Sequence, residues 1–158
     1  MIIQEVNTII IITYYLIINY LLGIFEVWTN SEKDNVDKET IIAFLDQQKG
    51  SLRLKSYKND TLFSFSCCQS AVACIAFNSE GTILATTSEK GTLIRIYQVS
   101  NGTFLHEIRR GSQNAEIGHI SFDDSSYYVS CTSNHGTIHL FSLFSIKDKI
   151  KPLLKGNE

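Results

Sequence analysis

The 158-residue sequence predicts an all-β fold, and three observations support this prediction. Residues that favour strands, mainly Ile, Val, Thr, Tyr and Phe, are plentiful, whereas the chain has 9 Gly and 1 Pro. Hydrophobic residues make up 44% of the sequence and charged residues 19%, which is typical of a globular protein. Short apolar segments also recur at regular spacing between polar turns. Extended disorder and a mainly helical fold are therefore not expected.

Residues 1–28 are an apolar N-terminal segment. No charged residue occurs from Val6 to Phe25, and twenty residues are long enough to span the core of a bilayer. Polar residues such as Asn7 and Asn19 interrupt this run, and no Lys or Arg precedes it to orient insertion. Its β-branched and Tyr content also suits buried strands. Three interpretations stay open: an integral membrane anchor over residues 6–25, buried strands or a helix, and an aberrant N-terminus.

Residues 29–40 have the sequence TNSEKDNVDKET, which is polar and charged. Such a stretch is typical of a linker or a solvent-exposed loop. We therefore expect the main folded unit to cover residues 41–158.

This unit contains an internal repeat with an offset of 45 residues. Each copy has a strand that ends in Phe (VACIAF, IGHISF), a polar turn, a second strand (TILATTS, YYVSCTS), a Gly turn (EKGT, NHGT) and a third strand (LIRIYQV, IHLFSL). The copies cover about residues 71–111 and 116–158, and the segment IIAFLDQQKGSLRLKSY is a weaker earlier trace around Gly50. A period of about 40 to 45 residues with four short strands is typical of a propeller blade.

The sequence thus predicts a partial WD-repeat β-propeller, with about two to three blades of four-stranded antiparallel sheet. The Trp-Asp dipeptide of WD repeats is absent, because Ile96-Tyr97 and Phe141-Ser142 stand at its expected positions. The prediction depends on the period and the strand pattern.

Charge and motif content exclude several classes of function. The chain has 14 Lys and Arg against 16 Asp and Glu, without the clustered basic residues that bind nucleic acid. The 4 Cys and 4 His do not show the spacing of a metal site. No nucleophile and base pair, phosphate loop or pair of catalytic acids is recognisable. We therefore expect no enzyme activity, no cofactor, no metal and no nucleic-acid partner.

Two adjacent arginines, Arg109 and Arg110, stand between the two repeat copies. Consecutive side chains of an extended strand point to opposite faces, so each arginine would serve a separate site. The repeat supplies two polar sets for these sites: Ser88 and Thr92, and Ser133 and Thr137 with His139 nearby. Hydroxyls and a guanidinium together suit a phosphate group. The alternative interpretation is that the hydroxyls cap turns, the arginines are solvated and His139 is half-buried.

The segments SEKGTLIRIY, IRRG and SNHGTIHLF resemble the PROPPIN family, the seven-bladed phosphoinositide-binding propellers of autophagy that include the WIPI proteins. The similarity covers roughly Ile41 to Leu143. It implies an adaptor that acts in autophagosome formation and binds phosphatidylinositol 3-phosphate and phosphatidylinositol 3,5-bisphosphate. It also implies two lipid sites, one formed by Arg109 with Ser88, Thr92 and Arg95, and one by Arg110 with the other polar set, namely Ser133, Thr137 and His139.

Further expectations follow from this resemblance. Seven blades of 45 residues would need roughly 315 residues, so the chain is expected to be a partial propeller whose open sheet edges can associate. The C-terminal segment FSIKDKIKPLLKGNE is a candidate for the start of a membrane-inserting loop, through Phe144, Ile146, Ile150, Leu153 and Leu154. Expected partners are phosphoinositide-containing membranes and autophagy proteins, and the expected location is cytoplasmic, peripheral on phagophore, endosomal or vacuolar membranes. A generic WD-repeat interaction module and a small membrane-anchored protein remain alternatives.

Overall fold

A computed structural model describes residues 23–30 and 39–154. They form three antiparallel sheets, two with four strands and one with three. Blade 1 contains β1 (Phe25–Thr29), β2 (Thr40–Leu45), β3 (Ser51–Ser56) and β4 (Thr61–Ser66). Blade 2 contains β5 (Val72–Phe77), β6 (Ile83–Ser88), β7 (Leu93–Gln98) and β8 (Phe104–Arg109). Blade 3 contains β9 (Ile117–Phe122), β10 (Tyr128–Ser133) and β11 (Ile138–Ser142).

The strands of each blade follow one another in chain order, and the first strands of the three blades are neighbours. β1 contacts β5, and β5 contacts β9. The sheets therefore stand side by side around their innermost strands, which is the arrangement of propeller blades. The predicted partial propeller is confirmed.

Two hydrophobic cores fill the spaces between blades. Leu52 and Leu54 of blade 1 pack with Leu84 of blade 2 in the first core. Ile94 and Ile96 of blade 2 pack against blade 3 in the second core. The alternation of side chains along a strand explains how the middle blade contributes to both. Each fully buried Ile or Leu stabilises the fold by about 1.5–3 kcal/mol.

The turns lie at two ends of the blades. One end carries the β2–β3, β6–β7 and β10–β11 turns and the connections over residues 67–71 and 110–116. We call it the upper end. At the opposite, lower end, Asn78 is buried, and its side chain donates a hydrogen bond to the Ser126 hydroxyl at 3.1 Å. Because Ser126 belongs to the equivalent turn of blade 3, this bond joins two blades.

The chain beyond β11 folds onto the lower part of the second core. A 3-10 turn at Phe144–Ile146 leads into helix α1 (Lys147–Leu154). Ile146 and Ile150 are buried in the core, whereas Phe144 is 49% exposed. The structure therefore uses Ile146 and Ile150 for packing, and these two side chains are not presented for membrane insertion in this conformation.

The N-terminal predictions lie mainly outside the described residues. The segment proposed to span a membrane is described only at residues 23–25, and residues 31–38 of the predicted linker are not described. The sheet of blade 1 begins at Phe25, whereas the sequence placed the start of the propeller unit at residue 41. In residues 23–30 and 39–154, no helix combines the length and apolar character that crossing a bilayer requires.

Candidate functional site

Arg109 is the last residue of β8, and its exposed side chain lies on the face of blade 2 that is turned toward blade 1. It pairs with Leu93 across the β7–β8 ladder. Directly opposed residues share a face, and so do residues two apart in a strand. Arg95 therefore shares this face, and its charge acts on Cys67 and Cys68, which follow blade 1. Arg109 is thus placed at the upper end, above the space between blades 1 and 2.

Arg110 lies on the opposite face of blade 2, toward blade 3. Its guanidinium Nε donates to the Gly91 carbonyl, and its Nη2 donates to the Gln113 carbonyl. Burial raises the pKa of the Cys131 thiol in blade 3 above its ordinary value, and the nearby charge of Arg110 offsets part of this increase. The two arginines therefore point into different spaces between blades, as the alternation rule predicts.

The polar residues predicted to accompany Arg109 are placed differently from one another. Ser88 is 7% exposed and lies two residues from Thr86, which pairs with Arg95, so Ser88 shares the face of Arg109. The carbonyl of Thr92 accepts a hydrogen bond from the Arg110 backbone N–H at 2.9 Å. Ser88 and Arg109 thus occupy one face at the upper end, while the Thr92 backbone contacts the second arginine.

Arg95 already has partners inside the sheet. Its Nε lies 2.9 Å from a carboxylate oxygen of Glu107. A side-chain hydrogen bond with Cys67 lowers the pKa of Cys68 to about 7, and the charge of Arg95 adds to this effect against the opposing effect of burial. Because Glu107 compensates its charge, Arg95 has less charge available for an anion than exposed Arg109.

The residues predicted to accompany Arg110 form a hydrogen-bonded chain in blade 3. The hydroxyl oxygens of Ser133 and Thr137 are 2.9 Å apart, and Thr137 Oγ1 lies 3.1 Å from His139 Nε2. His139 pairs with Cys131, a member of the core between blades 2 and 3, so this chain faces blade 2. No hydrogen bond joins Arg110 to these three side chains within the described residues. They nevertheless face the same space at the same end.

A cleft of 680 Å³ lies beside this second set, between β5 and β9. Its lining includes Ser133, Asn134 and two carboxylates, Glu89 and Glu116. The negative charge of the carboxylates favours a cation in this cleft. It would repel a phosphate group from the part of the upper end that lies next to β5 and β9.

Asn134 has a role that the sequence patterns do not predict. Its side-chain oxygen accepts a hydrogen bond from the Glu116 N–H at 3.2 Å, and its own N–H donates to the Glu116 carbonyl at 3.0 Å. The sequence signal for this role is an Asn in a turn, next to a Ser that is repeated in both copies.

The Arg95–Glu107 ion pair could also be predicted from the sequence, because cross-strand pairs follow once the hairpin register is known.

Comparison with known proteins decides the family. The PROPPIN family model matches residues 50–152, which include β3 and β4 of blade 1, all of blades 2 and 3, and both arginines. The chain belongs to the PROPPIN family. The resemblance inferred from the IRRG segment and its neighbours is therefore confirmed.

Relatives of this PROPPIN have names that refer to autophagy. The chain is 33% identical over 109 residues to Autophagy-related protein 18e of Arabidopsis thaliana, covering 69% of this chain and 29% of that protein. It is 47% identical over 75 residues to Autophagy-related protein 18 of Aspergillus clavatus, covering 48% of this chain and 18% of that protein. The chain thus spans less than a third of the length of these relatives.

Two solved structures share the fold. Kluyveromyces lactis Hsv2 with a complete loop 6CD has a TM-score of 0.69 and 22% identity, and the match covers 84% of this chain and 40% of that one. The complex of KlAtg21 with the coiled-coil of AgAtg16 has a TM-score of 0.60 and 22% identity, covering 76% of this chain and 40% of that one. At this identity the likeness concerns the fold alone.

Proposed function

We propose that this PROPPIN chain carries two phosphoinositide head-group sites, and that phosphatidylinositol 3-phosphate and phosphatidylinositol 3,5-bisphosphate are its ligands. The observation that supports this is the opposite orientation of Arg109 and Arg110 at the upper end. Each arginine shares a space between blades with hydroxyl side chains, Ser88 in one and the Ser133–Thr137 pair in the other.

Binding would depend on charge-assisted hydrogen bonds. A guanidinium offers several donors in a plane, which suits phosphate oxygens, and the hydroxyls orient the head group. Two sites at one end of the molecule can engage two lipids of the same membrane, so their contributions combine as avidity. The function is recruitment to a membrane, without chemical conversion of the lipid.

Vesicle flotation tests this proposal. Vesicles that contain phosphatidylinositol 3-phosphate should carry the wild-type chain upward, and the double variant Arg109→Thr with Arg110→Thr should remain at the bottom. The matched control is Lys58→Thr with Lys151→Thr, which removes two exposed positive charges located away from the upper end. Flotation of this control should equal that of the wild type.

Two outcomes would contradict the proposal. One is equal flotation of the double arginine variant and the wild type. The other is equal wild-type flotation with vesicles whose phosphoinositide is replaced by phosphatidylserine at matched charge, since this would indicate non-specific attraction.

We also propose that the protein acts in the cytoplasm as an adaptor, peripheral on phagophore, endosomal or vacuolar membranes, and that autophagy proteins are its partners. The autophagy-related names of its relatives and the solved complex of KlAtg21 with a coiled-coil support this proposal. A fluorescent fusion should form membrane-associated puncta during starvation, and the double arginine variant should remain diffuse. Puncta that persist in this variant would contradict lipid-dependent recruitment.

The outer edge of β11 supports association with a further β-strand. Ile138 is 79% exposed and Leu140 is 67% exposed, and β11 contains no charged Asp, Glu, Lys or Arg that would discourage edge pairing. We expect the chain to self-associate with increasing concentration and Leu140→Lys to reduce this in sedimentation velocity. A wild-type chain that stays monomeric throughout would contradict edge association.

A further inference from the structure

The β6–β7 turn is fixed to the connection over residues 110–116 through three successive carbonyls. The Lys90 carbonyl accepts from the Ala115 N–H at 3.2 Å, and the Thr92 carbonyl accepts from the Arg110 N–H at 2.9 Å. Between them, the Gly91 carbonyl accepts from Nε of the Arg110 side chain. Arg110 therefore holds the turn that begins at Ser88, one of the residues of the first predicted site.

The same connection is fixed to the β10–β11 turn of blade 3. Arg110 Nη2 donates to the Gln113 carbonyl, which shapes the connection itself. Three residues later, Glu116 exchanges two hydrogen bonds with Asn134, at 3.0 and 3.2 Å. Asn134 directly follows Ser133, the hydroxyl residue of the second predicted site.

The connection over residues 110–116 is thus hydrogen-bonded to both turns that carry the predicted head-group sites, and the Arg110 side chain bonds the first turn and the connection itself. Arg109 differs in this respect. Its side chain has no hydrogen bond or ion pair with any residue of 23–30 and 39–154.

We propose that Arg110, beyond contacting the second head group, positions the turns of both head-group sites, whereas Arg109 serves the first site alone. This inference rests on the proposed function. The guanidinium fork can bridge the Gly91 and Gln113 carbonyls at once, because its donors are fixed in one plane. A Lys side chain carries its charge on a single flexible ammonium. Arg110→Lys therefore keeps the positive charge but loses the bridge between the two carbonyls.

Hydrogen exchange without any lipid tests the positioning role. Both Arg110→Ala and Arg110→Lys should speed exchange of the amides in residues 89–92 and 110–116 by roughly tenfold or more, the effect expected when a bond to a charged donor is lost. Arg109→Ala is the matched control and should leave these rates unchanged. Unchanged exchange in both Arg110 variants would overturn the proposal.

Titration with soluble inositol 1,3-bisphosphate supplies the binding measurement. Arg110→Ala and Arg110→Lys should each weaken both binding events about tenfold or more. Arg109→Ala should abolish one binding event and change the affinity of the other by less than about twofold. Arg109→Lys should retain part of the affinity of the first event. Asn134→Ala should weaken only the second event, because it releases the blade 3 turn alone.

These outcomes separate the two proposals. Loss of one event in both Arg110 variants, with the other unchanged, would overturn the positioning role and make Arg110 a simple ligand. A wild-type chain that binds neither the soluble head group nor vesicles would contradict the proposed function, and the exchange rates would still decide whether Arg110 fixes the β6–β7 turn and the connection over residues 110–116. Circular dichroism establishes whether each variant is folded. If Arg110→Ala is unfolded, Arg110→Lys alone decides whether Arg110 has the positioning role.

Discussion

Blades 2 and 3 share one sequence repeat, yet equivalent strands in them have very different surroundings. Ile94 of β7 pairs with Thr87, and Ile138 of β11 pairs with Thr132, which lies 45 residues after Thr87. Ile94 is 0% exposed because blade 3 covers it, while Ile138 is 79% exposed. Burial of a blade residue is therefore decided by the adjacent blade more than by its own strand.

The two blades also differ in the register of one hairpin. In the sequence repeat, His139 aligns with Ile94, which faces blade 3. In the structure, His139 pairs with Cys131, the equivalent of Thr86, and so takes the place of Arg95. A one-residue change of register moves a side chain to the other face of a strand. This change is what brings His139 to Ser133 and Thr137.

A large difference between the two blades is expected when Ala replaces the turn glycine in each of them. Gly91 and Gly136 have φ values of +60° and +70°, so both substitutions carry a cost of about 1–2 kcal/mol. A Cβ atom on Gly91 would also lie 1.9 Å from the Ala115 carbonyl oxygen, whereas a Cβ atom on Gly136 would have no non-neighbouring atom of the described residues within 4 Å. We expect Gly91→Ala to lower the free energy of unfolding by more than about 3 kcal/mol in urea titrations.

Gly136→Ala is the matched control for this prediction. Similar losses in the two variants would show that the β6–β7 turn is not held against the connection over residues 110–116 in solution.

A difference of similar size is expected for the paired isoleucines. Ile94→Ala should lower the free energy of unfolding by about 2–5 kcal/mol, because it leaves a cavity in the core between blades 2 and 3. Ile138→Ala should change it by less than about 0.5 kcal/mol, since that side chain is exposed. Urea unfolding at low protein concentration measures both. Equal losses would mean that the outer face of blade 3 is covered in solution.

The smallest effect concerns the lower turns, where Asn78 and Asp123 occupy equivalent repeat positions. Burial raises the pKa of Asp123, but hydrogen bonds from Ser125 and Tyr128 outweigh it, and the pKa lies below its ordinary value. Its stabilisation is thus present above about pH 4, near the pKa of an unfolded Asp, and is lost as pH falls through the lower folded value. Asn78 does not titrate.

We therefore expect Asp123→Asn to reduce stability at pH 6 by less than about 1 kcal/mol, because the carboxylate is largely solvated, and the difference from wild type to shrink toward pH 3. Urea unfolding at several pH values checks this. A difference that stays constant between pH 6 and pH 3 would contradict the assignment to the Asp123 carboxylate.

The repeat allowed the blades to be predicted, because a 45-residue period is visible in the positions of Phe, Gly and Thr. It did not reveal β1, since Phe25–Thr29 is separated from β2 by a charged stretch that has the composition of a linker. The face occupied by each arginine followed from strand alternation alone.

The contacts of Arg110 could not be predicted in the same way. Its acceptors are the backbone carbonyls of Gly91 and Gln113, and a carbonyl leaves no signature in the identity of its residue. The register of the β10–β11 hairpin could not be predicted from the sequence either. The β6–β7 and β10–β11 turns have the same number of residues between their strands, and they differ only in which residues pair across the turn.

Every residue of β6 is buried, and the middle blade is covered on both faces. Stacked repeats of this kind behave as a linear array in which each unit is stabilised mainly by its neighbours. Within residues 23–30 and 39–154, the two outer blades each contact one other blade, so this array should fray from its ends while the middle remains intact. Limited proteolysis would then leave a last surviving fragment that contains β6, together with the arginine pair at the end of β8.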